Sequence, residues 1–340
     1  VVLLGEGGTV SLKGSAEGVD EFGGSGELVS TKRKDGREMS VMFDADGMFG
    51  DFDGFDIVGA RNVFGKRTSA DKRAALAAMD ICGGTRSVIL RTDGDSPFAS
   101  GYAVLTVAVS SGGKAKVSGV LPDGTKVSVA SQLMVFEDHC ELPVVAPLYS
   151  GRRGGLGFAV VYPQSEGADA AAPFVDGLSD WGASPGKATG FVAQLTEIGV
   201  GTAEQLPGRT AFSVTERFAA DGADIDDSLL PVGVEVTPDG SKWRLPKADK
   251  VRFIRDEGRY EIQSDYGNPA GLKLSYSAKT GTFKGSFKVY AVTEAGAAKS
   301  FTASVTGAVL DGKGLGTAVI KTIGSVPVTI ERRRTEETVQ

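Results

Sequence analysis

The chain has 340 residues, of which 41% are hydrophobic and 24% charged, and its formal net charge is −6. This length supports hydrophobic cores and about two domains. The acidic balance argues against a nucleic-acid binder, which would carry a basic face. It also argues against attraction to an anionic membrane surface. No apolar run approaches the roughly 20 residues that span a bilayer, so the sequence predicts no membrane insertion.

Glycine is unusually frequent, with 48 residues spread along the chain, against an ordinary share of roughly 7%. Many of these glycines follow an aspartate. An Asp-Gly pair between alternating apolar residues is typical of a tight β-hairpin, because both central residues need a positive φ. Pairs of this kind include Asp35-Gly36, Asp46-Gly47, Asp53-Gly54, Asp93-Gly94, Asp123-Gly124, Asp239-Gly240 and Asp311-Gly312.

In chain order, the first element is a weak period-two pattern over residues 39–56, which predicts short strands around an Asp-Gly turn. One short helix follows at about 69–82. Thr68 or Ser69 can cap it, the residues from 70 to 79 favour helix, and Gly83 ends it. Its apolar stripe is predicted to comprise Ala75, Leu76 and Met79.

Alternating apolar and polar residues then predict a three-stranded antiparallel meander between residues 105 and 129. One face of this meander is apolar and the other carries Lys, Ser and Thr. A similar meander occupies residues 272–310, with Lys279-Thr280-Gly281 as its first turn. A second, shorter helix is predicted at Thr202–Leu206.

Two short segments nearly repeat each other, Gly155-Leu-Gly-Phe-Ala-Val-Val161 and Gly314-Leu-Gly-Thr-Ala-Val-Ile320. Each follows a meander, which predicts an internal duplication of one β module. The predicted organisation is a first module at 1–163 that includes the helix, a connection at 164–189, a second module at 190–330 and a tail at 331–340.

These patterns predict an all-β fold of two related antiparallel modules, each a β-barrel or a β-sandwich, with one short helix. Glycines at strand positions, such as Gly119 and Gly285, favour the barrel, because glycine permits sharp coiling of a strand.

Two motifs of the chain resemble those of a known family. The first is the strand–Asp-Gly-Thr–strand segment Gly119-Val-Leu-Pro-Asp-Gly-Thr-Lys-Val-Ser128. The second joins Asn268-Pro-Ala-Gly-Leu-Lys-Leu-Ser275 to Lys279-Thr-Gly-Thr-Phe-Lys-Gly-Ser-Phe287. Both resemble an uncharacterised β-rich repeat module of large secreted or surface bacterial proteins. The resemblance implies a secreted or cell-surface location and a non-catalytic module, and it assigns no catalytic residue.

An acidic cluster near the start of the chain is a candidate calcium site. Calcium takes six to eight oxygen ligands from closely spaced carboxylates and carbonyls. The candidate ligands, at two Asp-Gly turns, are Asp44, Asp46, Asp51 and Asp53. Their spacing is not that of an EF-hand loop, so a solvated pair of hairpins is the alternative. No other cofactor is predicted.

His139 is the only histidine, which rules out a site with several histidine ligands. Its neighbour Cys140 points to the opposite face of a strand, and acidic neighbours do not favour a thiolate. We therefore interpret His139 as part of a polar loop or strand edge and predict no catalytic residue. The two cysteines, Cys82 and Cys140, are compatible with one disulfide or with two buried thiols.

The tryptophans suggest a ligand site and a core position. Trp181 lies in a segment rich in Gly and Pro and is a candidate platform for a sugar ring, with a packed loop anchor as the alternative. Trp243 alternates with Leu245 and is predicted to lie in the core.

The sequence thus predicts a non-enzymatic secreted or cell-surface β module with a structural or adhesive role, whose partner is an extracellular protein or a glycan. A carbohydrate-binding module is one alternative, and it predicts an exposed Trp181 or a row of tyrosines. A secreted hydrolase is another, and it predicts a cleft with two carboxylates about 5–10 Å apart.

Overall fold

The computed structural model describes residues 2–5, 8–20, 23–30, 38–43, 47–52, 55–60, 63–65, 68–93, 97–149, 154–164, 171–177, 181–183, 191–219 and 222–332. The chain divides into two compact units. Unit 1 comprises Val1–Gly84, Ala108–Val117 and Val129–Thr189, and unit 2 comprises Thr85–Val107, Ser118–Ser128 and Gly190–Gln340. The all-β fold is confirmed, with antiparallel sheets and one α-helix in the described residues. The predicted module boundaries and the internal duplication stay predictions.

The first six strands form one antiparallel sheet of unit 1 in sequential order. They are β1 (Val2–Gly5), β2 (Gly8–Asp20), β3 (Gly23–Ser30), β4 (Glu38–Phe43), β5 (Gly47–Phe52) and β6 (Phe55–Ala60). Strands β4 to β6 confirm the period-two prediction over residues 39–56.

The predicted helix is confirmed as α1 (Ser69–Cys82), with Thr68 as its N-cap and Gly83 after its last residue. Thr68 and Asp71 form a capping box, in which the Asp71 backbone N–H donates to Thr68 Oγ1 over 3.1 Å and the Thr68 N–H donates to Asp71 Oδ2 over 2.8 Å. This exchange satisfies two backbone donors that a helix start leaves open.

The buried face of α1 differs from the predicted stripe. Of the predicted stripe, Ala75 is buried, but Leu76 is 67% exposed. The buried residues of α1 are Asp71, Ala75, Ala78 and Cys82. The small side chains on this face let the helix pack closely, a preference that apolar spacing alone does not reveal. No helix among the described residues is long and apolar enough to cross a membrane.

The meander predicted between residues 105 and 129 is confirmed. The strands concerned are β7 (Gly84–Asp93), β8 (Gly101–Val109), β9 (Lys114–Val120) and β10 (Lys126–Gln132), which pair in the order β10-β9-β8-β7. Leu105 and Val107 are buried, while Lys116 is exposed. In the turn before β10, Asp123 accepts hydrogen bonds from the Thr125 N–H over 2.8 Å and from its hydroxyl over 2.6 Å.

A four-stranded antiparallel sheet follows in unit 1, again in sequential order. Its strands are β11 (Met134–Val135), β12 (His139–Leu148), β13 (Gly154–Pro163) and β14 (Phe174–Asp176). Alternate residues of β12 from Cys140 onward are buried, and Cys140 is the Cα partner of both Val135 and Tyr162.

The remaining strands are β15 (Trp181–Ala183), β16 (Phe191–Thr202), β17 (Thr210–Val214), β18 (Ala223–Ile225), β19 (Val234–Asp239), β20 (Lys242–Arg244), β21 (Val251–Ile254), β22 (Arg259–Ile262), β23 (Lys273–Ser277), β24 (Thr282–Thr293), β25 (Ala298–Leu310), β26 (Lys313–Ile320) and β27 (Gly324–Arg332). A 3₁₀ turn, Asp227–Leu229, precedes β19. Strand β16 pairs with β7, with Thr202 opposite Arg86. Because this pairing holds Thr202 in a sheet, the helix predicted at Thr202–Leu206 is wrong.

Unit 2 contains a nine-stranded antiparallel sheet with the order β18-β24-β25-β26-β27-β17-β19-β20, in which β23 also pairs with β24. Strands β23 to β25 confirm the meander predicted at 272–310. Asp311 and Gly312 join β25 to β26 with φ values of 50° and 70°, as a tight Asp-Gly hairpin requires.

The core of unit 2 contains stacked aromatic rings. The Trp243 ring lies 4.9 Å from that of Tyr276 and 5.3 Å from that of Phe283, and Trp243 is buried, which confirms its predicted core position. Phe212 meets Phe287 edge to face. Such pairs stabilise a core beyond the area that they bury.

The sheets of the described strands are open and fit the sandwich alternative. The preference for a barrel is therefore wrong. A Cβ at Gly119 would overlap the Val104 carbonyl oxygen, and one at Gly285 would overlap that of Lys273. These glycines are needed because a neighbouring strand comes too close for a side chain, which does not require barrel closure.

Candidate functional site

The candidate calcium ligands are not assessed by the structure. Asp44, Asp46 and Asp53 lie outside the described residues, and for Asp51 only the backbone is described, on β5. Among the described residues, no group of three or more His, Cys, Asp or Glu side chains could hold a metal ion. The calcium site thus stays a prediction.

Trp181 is completely buried, with an exposed fraction of 0%. Its indole Nε1–H donates a hydrogen bond to the Tyr149 hydroxyl over 3.1 Å. A sugar ring packs on an exposed aromatic face, and Trp181 offers none here. The structure therefore gives Trp181 a packing role in unit 1, which corrects its proposed role as a ligand platform.

His139 lies at the start of β12, and its ring stacks on Phe136 with 4.6 Å between centroids. Its Nδ1 is 2.6 Å from Asp138 Oδ1, and its Nε2 is 4.0 Å from Glu141 Oε2. The hydrogen bond from His139 lowers the pKa of Asp138. Burial raises the pKa of Glu141, and the electrostatic interaction with His139 offsets part of this rise. Cys140 points away into the interior, as expected from strand alternation.

The described part of unit 2 contains an open groove of about 370 Å³. It lies where residues of β8 and β9 approach the β23–β24 hairpin and β25. Eight of its lining residues carry a hydroxyl group: Thr106, Ser118, Ser275, Tyr276, Ser277, Thr280, Thr282 and Thr306. The groove is thus rich in groups that both donate and accept hydrogen bonds.

The turn between β23 and β24 orders part of this hydroxyl lining. Thr280 Oγ1 donates to Ser277 Oγ over 2.9 Å and lies 2.7 Å from Thr282 Oγ1. Gly281 completes the turn with a φ of 65°, a conformation that glycine adopts without strain. The predicted turn Lys279-Thr280-Gly281 therefore places a chain of three hydroxyls at one end of the groove.

The rest of the lining combines an apolar floor with one positive charge. Val104 and Phe283 are buried, whereas Lys284 is exposed. Lys284 on β24 is the Cα partner of Thr306 on β25. No described group hydrogen-bonds to the Lys284 ammonium or to the Thr306 hydroxyl, so both are available to a ligand.

One further lining residue connects the groove to the core. The Tyr276 ring stacks on Trp243, and its hydroxyl donates to the Glu204 carbonyl oxygen. Burial raises the pKa of Tyr276. Because Tyr276 is held on both sides, it forms a rigid wall, and Trp243 lies directly behind it.

Sequence reasoning did not assign this groove, although both segments of the family resemblance contribute to it. Gly119 and Val120 come from the first segment, and the second supplies five lining residues: Ser275, Thr280, Thr282, Phe283 and Lys284. The polar face of each meander was visible in the alternation of Ser, Thr and Lys. Its position opposite the other meander depends on tertiary packing, which no local signal reports.

Comparisons with known proteins leave the family open. No family model matches the sequence, and no curated protein matches it. A candidate outer membrane protein of Bacteroides fragilis is 12% identical over 76% of this chain and 99% of its own, with a TM-score of 0.20. TolB from Acinetobacter baumannii is 10% identical over 95% of this chain and 80% of its own, with a TM-score of 0.11. TM-scores this low do not establish a shared fold.

Proposed function

We propose that this chain is a non-enzymatic secreted or cell-surface β module with an adhesive role, and that the groove of unit 2 binds an extracellular glycan. The observation that carries the proposal is the hydroxyl-rich lining with an apolar floor. Binding sites combine apolar walls with a few placed polar groups. A glycan presents many hydroxyls together with apolar C–H faces, and this lining complements both.

The secreted or surface location is supported by the resemblance of segments 119–128 and 268–287 to repeat modules of surface proteins. Both segments also supply groove residues, so one binding role accounts for both of them. The exposed Lys284 ammonium favours glycans that carry a carboxylate or a sulfate, because a charge-assisted hydrogen bond is stronger than a neutral one.

The test is binding of the full chain to a printed array of neutral and acidic oligosaccharides, followed by titration calorimetry with each hit. Trp243 fluorescence is a second readout, because its ring stacks on the groove residue Tyr276. We expect Lys284→Ala with Thr306→Val to weaken binding about tenfold or more, through the loss of two hydrogen-bonding groups.

The chain contains a matched control for this variant. Lys288 and Thr302 are Cα partners on the same two strands, lie outside the groove lining, and form a hydrogen bond of 2.7 Å. Lys288→Ala with Thr302→Val should leave glycan affinity unchanged. The proposal is overturned if no array glycan binds, or if both double variants weaken binding equally.

A further inference from the structure

The backbone of unit 1 brings its two cysteines together. Cys82 is the last residue of α1, and Cys140 is the second residue of β12. Helix α1 packs against β11, and Val135 of β11 is the Cα partner of Cys140. The end of the helix therefore lies beside the start of β12, although the chain runs through several strands between them.

Both sulfurs are enclosed in the core, since Cys82 and Cys140 each have an exposed fraction of 0%. Both are thiols in this structure, and their side chains hydrogen-bond to each other. The Gln164 amide Nε2 also donates to Cys140 Sγ over 3.2 Å. The hydrogen bonds from Cys82 and Gln164 lower the pKa of the Cys140 thiol, against desolvation that raises it.

A hydrogen-bonded thiol pair is close to the geometry of a disulfide, in which the sulfurs are about 2 Å apart. Thiol–disulfide exchange proceeds by attack of a thiolate on a disulfide sulfur through a mixed-disulfide intermediate.

We propose that Cys82 and Cys140 form a disulfide that cross-links the end of α1 to β12 when the chain folds in the presence of a small-molecule disulfide such as oxidised glutathione. The Cys140 thiolate attacks one glutathione sulfur, forms a mixed disulfide and releases one glutathione thiolate. The Cys82 thiolate then attacks Cys140 Sγ, forms the protein disulfide and releases the second. Two protein thiols are oxidised, one glutathione disulfide is reduced, and the two thiol protons pass to the two released glutathione thiolates.

Burial determines when this reaction takes place. Neither sulfur is open to solvent in the folded unit, so exchange occurs during folding or local opening. Once the bond has formed, the same burial protects it from reductants. The disulfide closes a loop that runs from Cys82 at the end of α1 to Cys140 in β12. Cross-linking such a long loop reduces the conformational entropy of the unfolded chain and so stabilises the folded one.

The experiment refolds the full chain from denaturant with oxidised and reduced glutathione, and in parallel with reduced glutathione alone. We expect the first product to be lighter by two hydrogen atoms, unreactive to maleimide in denaturant, and to yield one peptide pair joined through Cys82 and Cys140. We also expect unit 1 of the oxidised product to have a thermal midpoint on the order of 10 °C above that of the reduced product.

Cys82→Ser and Cys140→Ser serve as controls, and each should keep one reactive thiol and lose the difference between the two refolding conditions. The comparison of oxidised and reduced wild-type chain does not depend on how these variants fold. The proposal is overturned if the oxidised wild-type chain keeps two reactive thiols, carries glutathione adducts, links only between chains, or melts no higher than the reduced chain.

Discussion

Asn268 is the side chain whose replacement tests the core of unit 2 most directly. It is 1% exposed, and its amide makes three hydrogen bonds. Nδ2 donates to the carbonyl oxygens of Pro246 and Leu272, each over 3.1 Å, and Oδ1 accepts from the Leu272 N–H over 2.7 Å. The Asn268 backbone N–H donates to Asp249 over 2.9 Å. The amide thus joins two loop segments that precede β23.

Asn268→Ala removes three side-chain hydrogen bonds and leaves two carbonyls and one N–H without their partner. Each such bond contributes about 1 kcal/mol net, and a buried orphaned group costs more. We expect the free energy of unfolding of unit 2 to fall by about 3–5 kcal/mol. Asn268→Asp keeps the shape but sets a carboxylate oxygen against two carbonyl oxygens, so it should destabilise unit 2 at least as much.

The assay is urea unfolding followed by the fluorescence of Trp243 in a Trp181→Phe background, so that one core tryptophan reports on unit 2. Gln263→Ala is the control, because Gln263 carries the same amide on an exposed position of the same region. It should shift the free energy by less than 0.5 kcal/mol, as surface substitutions usually do. If Asn268→Asp is as stable as wild type, or Asn268→Ala matches Gln263→Ala, the hydrogen-bond argument is refuted.

Three further perturbations test local features. Thr68→Ala removes half of the capping box and should destabilise unit 1 by about 1 kcal/mol, measured by urea unfolding with circular dichroism of α1; an unchanged midpoint contradicts the cap. Gly119→Ala places a methyl group on the Val104 carbonyl oxygen and should cost about 1–3 kcal/mol, whereas Gly112→Ala enters open space and should cost little; equal urea midpoints would be inconsistent with this packing. Burial raises the pKa of three tyrosines of unit 2 above their ordinary value near 10, so folded unit 2 holds these protons more tightly than the unfolded chain. The free energy of unfolding of unit 2 should therefore be constant up to about pH 10 and fall as pH rises through the raised pKa values. Tyrosinate absorbance measures the titration and urea midpoints measure the stability. A free energy of unfolding that increases above pH 10 would contradict the expected direction. These tyrosines are Tyr260, Tyr276 and Tyr290.

The all-β fold, both meanders and helix α1 followed from the sequence, which offered Thr68 or Ser69 as its cap. Each of these depends on neighbours within a few residues. Strand alternation, the Asp311-Gly312 hairpin and the capping box are complete local signals, because all the atoms that satisfy them lie in one short segment.

Tertiary packing decided what local signals left open. The buried face of α1 includes Ala78, whereas Leu76 is exposed, because the side of a helix that is covered depends on where its partner lies. Trp181 is buried, and Tyr149, 32 residues earlier in the chain, accepts the hydrogen bond of its indole N–H. Whether a ring is exposed depends on such distant partners.

The groove and the cysteine pair illustrate the same division. Sequence alone determined that Ser, Thr and Lys occupy one face of each meander, and that Cys82 ends a helix while Cys140 lies in a strand. Only the tertiary structure decided that Gly119 and residues of the β23–β24 hairpin line one groove, and that the two sulfurs meet. Alternation determines which face a side chain occupies, but which face meets which depends on the packing of whole sheets.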